Sequence, residues 1–456
     1  MVLSRRNVLA MGLFGTASVV LPAHAQSRGA TAGPLGHLGL DAGQFGLRPG
    51  ASEDQSRQLQ AALKQAAGRG APLLLPPGRY RIGGVALPEN ARIVGVPGET
   101  HLVTANGQPV LIARNLSRAE LSGLNFDGLD IPAAQRSGLL AAENVGELVI
   151  SGCAFAKAGS VGLTLDRCGG RIAANHFREM RDAALFAIDS KGLTIEQNRV
   201  EDCGNNGIQI WRNQPGDDGS TVRGNHVMRI RTDAGGSGQN GNGISIFRAG
   251  GVIIEGNQLR DCTMTFIRNN SGSGVQMLGN QGRRCGEVGL YSEFAFEGAI
   301  IANNLVEDCA AGATMTNLDH GGRLAVCANN IIRRATRKAV PYSKDPVGGY
   351  GIHVEAEAAV TGNVIEEASD IGIALGWSWG MRNLAATGNV IRKTGIGISV
   401  SLVPKERNAL VANNIIAEAR DGAVIGTEYG KPVTGDLTKA PDARASGIVV
   451  ANNAVR

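Results

Sequence analysis

Apolar and polar residues alternate in short runs along most of the chain, and asparagine punctuates the runs at a nearly constant interval. Ile195–Cys203 reads I-E-Q-N-R-V-E-D-C, Ile254–Cys262 reads I-E-G-N-Q-L-R-D-C, and Ile301–Cys309 and Val360–Ala368 repeat the pattern. The asparagine recurs at Asn175, Asn198, Asn225, Asn257, Asn280, Asn304, Asn330, Asn363, Asn389, Asn414 and Asn453, mostly 22 to 27 residues apart. Leu124 and Cys153 hold its place in two degenerate early copies. Some nine residues further on, a small residue precedes a second alternating pair, as in Gly207–Ile210, Gly289–Ser292 and Gly372–Leu375. Two-residue periodicity over short runs predicts strands joined by tight turns. Asparagine tolerates the left-handed backbone such a turn needs, and its amide can bond to copies above and below. A unit of this size cannot bury its own apolar side, so the copies must stack. About twelve coils at the ~4.8 Å strand spacing would make a rod near ~58 Å long.

Composition agrees with thin, repetitive cores. The 456 residues include 65 glycines but only 3 Trp, 5 Tyr and 10 Phe, with 43% hydrophobic and 19% charged residues. That is too apolar for disorder and too poor in aromatics for broad globular cores. The formal net charge of +5 comes with no basic block, which points away from a nucleic-acid partner. Before the repeats, Leu59, Ala62, Leu63 and Ala66 share one helical stripe, predicting an amphipathic helix from Glu53 to Ala67.

The extreme N-terminus reads as an address. Ser4-Arg5-Arg6-Asn7-Val8-Leu9 precedes an apolar run from Ala10 to Leu21 and then Ala23-His24-Ala25. A basic start, a short apolar core and an A-x-A site predict cleavage after Ala25. The run is shorter than the ~20 residues a bilayer requires, so no membrane span is expected in the mature chain. The arginine pair resembles a twin-arginine export signal, which implies a periplasmic or secreted protein that crosses the membrane already folded.

The coils themselves resemble the right-handed parallel β-helix repeats of the pectate-lyase superfamily. The segment Ala51–Ala67 followed by Pro72-Leu-Leu-Leu-Pro-Pro-Gly-Arg-Tyr-Arg-Ile82 is similar to that superfamily's cap helix and L-P-P-G-x-Y strand. With the arginine pair, the whole chain resembles the uncharacterised twin-arginine-exported repeat family of proteobacteria. The expected fold is all-β, a single-stranded right-handed parallel β-helix solenoid of about twelve coils with an N-terminal amphipathic cap helix. The expected organisation is a signal peptide over 1–25, an N-terminal segment over 26–50, a cap helix and first strands over 51–112, and repeats over 113–456. The last copy stops in mid-coil at Asn453–Arg456, so either the insertion from Gly426 to Ser446 or another chain is expected to cover that end, and association stays open.

Seven cysteines invite a disulfide reading, but Cys203, Cys262, Cys285 and Cys309 all fall five residues after a ladder asparagine. Other copies have Met180, Ile230 or Ala335 there, so an interior stack of free thiols is expected. No Cys/His spacing suits zinc, and no cofactor or metal site is expected, calcium on paired carboxylates being the one alternative.

Insertions at 212–220, 231–242, 338–350, 402–408 and 426–446 all adjoin the Gly-Ile-x-Val strand. Variable loops on a regular scaffold mark binding surfaces, so the outward face of that strand is the expected groove. Alternation places Ile352 and Val354 inward and His353 and Glu355 outward. Aligned copies give one outward row through Phe186, Gln209, Ser245, Arg268, Tyr291, Met315 and His353, and a second through Trp211, Phe247, Asn270, Glu293, Asn317 and Glu355. Asp319 and His320 lie close by in sequence. Tyr291 and Trp211 offer a sugar ring a flat platform, extended by Trp377 or Trp379.

Two readings follow. In one, the protein binds or processes a polysaccharide. A lyase or epimerase would use His353 or Tyr291 as base, Arg268 against a carboxylate, and Glu293 and Glu355 as acid/base groups or calcium ligands. A hydrolase would use the Glu293/Glu355 pair, two coils apart. Asn270, Asn317, Asp319 and His320 would line the groove beside Trp211, Trp377 and Trp379. In the other, the rod is a non-catalytic envelope scaffold that binds partners. Hydrolases of polygalacturonase type carry G-D-D and G-H-G-I-S-I. Here Gly216-Asp217-Asp218 and Gly241-Asn242-Gly243-Ile244-Ser245-Ile246 put Asn242 in place of the histidine, which argues against that mechanism.

Overall fold

The computed structural model describes residues 39–107, 109–316 and 321–456. The export motif, the Ala25 cleavage site, and Asn317, Asp319 and His320 lie outside them. The described chain is a parallel β-solenoid of about 13 turns, one more than the asparagine spacing predicts, with a single short helix near its N-terminus. A mature coil contributes three strands. In one coil the first is Val288–Glu293, the second Glu297–Ala302 and the third Leu305–Cys309, after which Ala311–Thr316 begins the next coil.

Stacking makes three parallel sheets in register. Arg268, Tyr291, Thr314 and His353 align on the first sheet, Gln276, Ile300, Val326 and Ala359 on the second, and Gln281, Leu305, Ile331 and Val364 on the third. The helix, α1 (Ser56–Gly68), begins three residues later than its stripe predicted. Asp54 accepts the Ser56 amide at 2.8 Å and holds the chain in a turn just ahead of it. Leu59, Ala62, Leu63 and Ala66 are all buried and join the core that runs on through the coils to Val424. Inside that core Phe126, Phe155 and Phe177 stack with centroids 4.6 and 4.7 Å apart, the spacing of the strands that carry them.

The turn between second and third sheets explains the asparagine ladder. Each ladder amide from Asn175 to Asn414 donates to the next ladder carbonyl and to a backbone carbonyl of the previous coil, and Asn453 ends the series with the second bond alone. Asn280 Nδ2, for example, lies 3.1 Å from Asn304 Oδ1 and 2.9 Å from the Ile254 carbonyl. Such links run unbroken from Asn175 to Asn453, and Asn304 Oδ1 also accepts the Asn280 backbone amide at 2.8 Å. A buried amide is thereby satisfied on both sides, which removes the cost of burying it. The preceding residue is always left-handed, from Ala174 (φ 54°) through Gly279 (62°) to Asn452 (53°), and this requirement draws Gly and Asn to that position.

All seven cysteines are free and buried. Cys262 is level with Cys285 in the interior row, and burial pushes the Cys203 thiol up to about 12. The 426–446 insertion folds back at the C-terminal end. Lys431–Asp436 pairs antiparallel with the strand ending at Glu428, and Leu437 packs on the core. Among the described residues no helix is long and apolar enough to cross a membrane.

Candidate functional site

The first sheet's outward face carries two connected groups of side chains. On the N-terminal side, Phe186, Trp211 and Phe247 come from three consecutive coils. Trp211 meets Phe186 edge-on at 5.6 Å and Phe247 at a tilt at 5.5 Å. The Arg136 guanidinium lies over both Phe186 and Trp211, at 4.6 and 5.0 Å, and Arg248 lies over Phe247 at 4.7 Å. Trp211 Nε1 donates to Ser245 Oγ at 3.3 Å. Phe186 and Phe247 stand in the outward rows read from the sequence, whereas Arg136 and Arg248 do not, because nothing in the sequence signals cation–aromatic stacking across coils.

The next coils replace the aromatic strip with a buried polar cluster centred on Arg268. Its guanidinium donates to both oxygens of Glu293, at 2.7 and 2.8 Å, and to Glu287 Oε2 at 3.1 Å. It also lies 5.0 Å from the Tyr291 ring centre. Asn270 Nδ2 donates to Glu293 Oε1 at 3.0 Å, and Thr265 Oγ1 to Glu287 Oε2 at 2.8 Å. Burial opposes the charge on Arg268, but Glu293 and Glu287 outweigh it and keep the guanidinium more firmly protonated than usual. Burial, reinforced by Glu293, raises the Tyr291 hydroxyl well above its ordinary range. Glu287 escaped the sequence reading because it stands just ahead of the alternating strand, outside both aligned rows.

Two insertions close on this cluster. Tyr342, from the 338–350 insertion, donates to Glu287 Oε1 at 2.7 Å. Gly238, from the 231–242 insertion, packs against Arg268 so closely that a β-carbon there would fall 2.0 Å from Nη1. The glycine-rich 235–243 stretch, with its φ of +135° at Gly238, is what lets this loop lie across a guanidinium.

Further along, His353 and Glu355 do point away from the core, with Ile352 and Val354 inside. Both are nevertheless covered, at 14% and 7% side-chain exposure. His353 Nε2 lies 3.6 Å from Glu355 Oε1 and makes no hydrogen bond among the described residues. Burial lowers the His353 pKa to about 4, so the imidazole is neutral near pH 7. Its ring is 5.9 Å from Tyr350 and 6.4 Å from Trp377, which packs under Gly430, while Trp379 stands 64% exposed.

The intervening coil corrects one row assignment. Tyr291 is level with Thr314 and Glu293 with Thr316, so the outward residues of that strand are the two threonines and not Met315. Met315 is 2% exposed and lies in the core between Ser292 and Val354. A slip of one residue exchanges the faces of a strand, and an alanine-rich strand gave the alignment no large apolar residue to anchor it.

The structure thus brings Arg268, Asn270, Tyr291 and Glu293 together, and separately His353, Glu355 and Trp377. The carboxylates expected to act as a pair differ in setting, because both oxygens of Glu293 are held by Arg268. Arg268 in turn is bidentate to a protein carboxylate, so it is not presented as a free partner for a substrate's.

Residues 127–281 match the family model described as periplasmic copper-binding protein (NosD), and residues 216–391 match that of the right-handed β-helix region. With the parallel solenoid, these matches define a right-handed β-helix repeat protein. No curated protein matches the chain. Among solved structures, the catalytic unit of a GH87 α-1,3-glucanase from Streptomyces thermodiastaticus is similar at 14% identity and TM-score 0.48, over 95% of this chain and 70% of that one. PfbA, a surface adhesin of Streptococcus pneumoniae, is similar at 14% identity and TM-score 0.46, over 87% and 95%. The A-module of the Azotobacter vinelandii mannuronan C-5 epimerase AlgE6 is similar at 12% identity and TM-score 0.36, over 91% and 99%.

Copper needs converging donors, and the residues present do not fit it. Among the described residues no three His, Cys, Asp or Glu side chains gather in a metal-holding group. Within the matched stretch the cysteines face the core, and His176 is held by Glu201 at 2.7 Å.

Proposed function

We propose that this β-helix is an exported polysaccharide-binding protein whose glycan lies along the outward face of the first sheet. One observation carries the reading: the aromatic strip of Phe186, Trp211 and Phe247 leads directly into a polar cluster over which two insertions fold. Edges of aromatic rings and guanidinium-capped ring faces suit the mixed apolar and hydroxylic surface of a sugar chain. A linear polymer parallel to the rod axis would meet the part-exposed Trp211 and Phe247, with Phe186 buried behind them, and then the insertions that cover the polar cluster. The 5-to-6 Å ring spacing within the strip is close to the length of one sugar residue.

If the bound chain is also processed, His353 is the group suited to take a proton. It is neutral, its Nε2 is unengaged among the described residues, and Glu355 stands beside it to stabilise the imidazolium. Tyr291, with its raised pKa, remains protonated and serves better as a hydrogen-bond donor than as a base. Export rests on the S-R-R motif and A-x-A site, and the periplasmic setting of the matched family agrees with it.

The test is a binding and turnover screen of the mature protein on neutral and uronate-rich polysaccharides, with Trp211→Ala and a His353→Ala/Glu355→Ala double variant. Binding lost in Trp211→Ala supports the groove, and turnover lost only in the double variant supports His353 as the base. Glycan binding that survives Trp211→Ala would overturn the placement. No binding to any polysaccharide would favour the scaffold reading.

A further inference from the structure

The third sheet changes character along the rod. The outward residue just after each ladder asparagine is His176, Arg199, His226, Gln258 and Gln281 in earlier coils. From the next coil it becomes Leu305, Ile331, Val364, Val390 and Ile415, stacked level with one another. Ile331, Val364 and Ile415 are 45%, 41% and 48% exposed. A bare row of branched apolar side chains on a regular sheet is what soluble proteins ordinarily avoid unless something covers it.

Charges beside this row alternate in sign from coil to coil. Two residues further on stand Glu307, Arg333, Glu366 and Arg392, again level with one another. The next residue in each coil takes a left-handed backbone, at Arg284, Asp308, Arg334, Glu367, Lys393 and Glu418. Within one chain these neighbours pair along the rod, as Arg333 does with Glu307 at 2.9 Å and with Glu366 at 3.4 Å.

From this pattern we infer that the third-sheet face from Leu305 to Ile415 is the docking surface for a second copy of the chain, laid antiparallel across a two-fold axis. Such an axis, perpendicular to the rods, sets each row against itself in reverse order. If it passes between the coils of Ile331 and Val364, Leu305 faces Val390 and Ile331 faces Val364, a larger residue against a smaller one each time, and Ile415 meets Gln281 at the margin. The same axis opposes Arg333 to Glu366 and Glu307 to Arg392 in the first charged row. In the second it opposes Arg334 to Glu367, Asp308 to Lys393 and Arg284 to Glu418. Every facing pair is of opposite sign. An axis through a coil, or a parallel pairing in register, would set like charges against each other, so the alternation selects the antiparallel orientation and an axis between two coils, and the axis between Ile331 and Val364 is the one centred on the first four residues of the apolar row. The 338–350 insertion leaves this face open, because Tyr342 turns to Glu287 on the first sheet.

Sedimentation equilibrium of the mature chain tests this directly. The wild type is expected to dimerise reversibly, with Val364→Glu and Lys393→Glu each weakening the dimer about tenfold or more. Adding Asp308→Lys to Lys393→Glu restores the opposite-sign pair between copies while further spoiling the alternation within each copy, so recovered dimerisation distinguishes an interface from a stability effect. A wild type that stays monomeric at all accessible concentrations overturns the inference. So does a dimer indifferent to Val364→Glu, or one that the double variant fails to recover.

Discussion

The first and third sheets are built from the same repeat, yet their outward faces handle charge in opposite ways. On the third sheet most charges stay in reach of water, paired with neighbours above and below and repeated coil after coil, although Glu201 is buried. Arg333 is 43% exposed between Glu307 and Glu366. On the first sheet the N-terminal coils carry exposed charges such as Arg114 and Glu143, but the middle coils bury theirs. Arg268 is 10% exposed, with two glutamates and an aromatic ring around it. A repeat that needs only solubility can spread its charges evenly. One that concentrates them under inserted loops has specialised those coils, and that contrast marks the site more clearly than any motif.

The sharpest test of the contrast is to remove one arginine from each face. Arg268→Ala leaves Glu287 and Glu293 buried without their cation and should cost about 3–5 kcal/mol in urea unfolding. A loss below about 1 kcal/mol would show that the cluster is wetter than its burial implies.

A slightly smaller effect should come from pH. The His353 pKa is about 4 in the folded chain, below its ordinary 6.5. The unfolded chain therefore takes up the proton first. The folded state keeps its full advantage above pH 6.5 and loses it as pH falls toward 4. From the size of that shift, unfolding free energy should drop by about 3 kcal/mol between pH 7 and 4. His353→Gln should flatten that limb, and an unchanged slope would mean that other groups, Glu355 first, carry it.

Tyr342→Phe removes one hydrogen bond to a buried carboxylate and should cost about 1 kcal/mol. Its larger consequence should be weaker glycan binding, measured by calorimetry, because the loop loses its hold on Glu287. Equal affinity in the variant would detach that insertion from the site. At the small end, Arg333→Ala should change stability by no more than about 0.5 kcal/mol. A loss as large as that of Arg268→Ala would erase the distinction between the two faces.

Much of the architecture was legible in advance because the repeat states it many times. The interior cysteines, the helical stripe at Leu59–Ala66 and the inward set of Ile352 and Val354 all follow from periodicity alone. Legibility failed where the repeat is weakest. At Ala311–Thr316 nothing large and apolar set the register, and a slip of one residue put Met315 outside and the threonines inside. Glu287 and Tyr342 were invisible because one precedes its strand and the other lies in an insertion. The left-handed charged residue at Asp308 and its counterparts went unread for a related reason, since their alternation appears only when coils are stacked.

By itself, then, the sequence determined a stack of β-coils, the ladder that locks their turns, and the strand from which the loops emerge. These depend on contacts between equivalent positions, and equivalence is written in the spacing. Only the tertiary structure decided that Glu293 is tied to Arg268, that His353 is buried and neutral, and that an apolar row lies bare beside alternating charges. Those outcomes depend on distances between residues of different coils and on loops that obey no period. Burial and pairing set the chemistry of an ionisable group, and neither is a property of the residue alone.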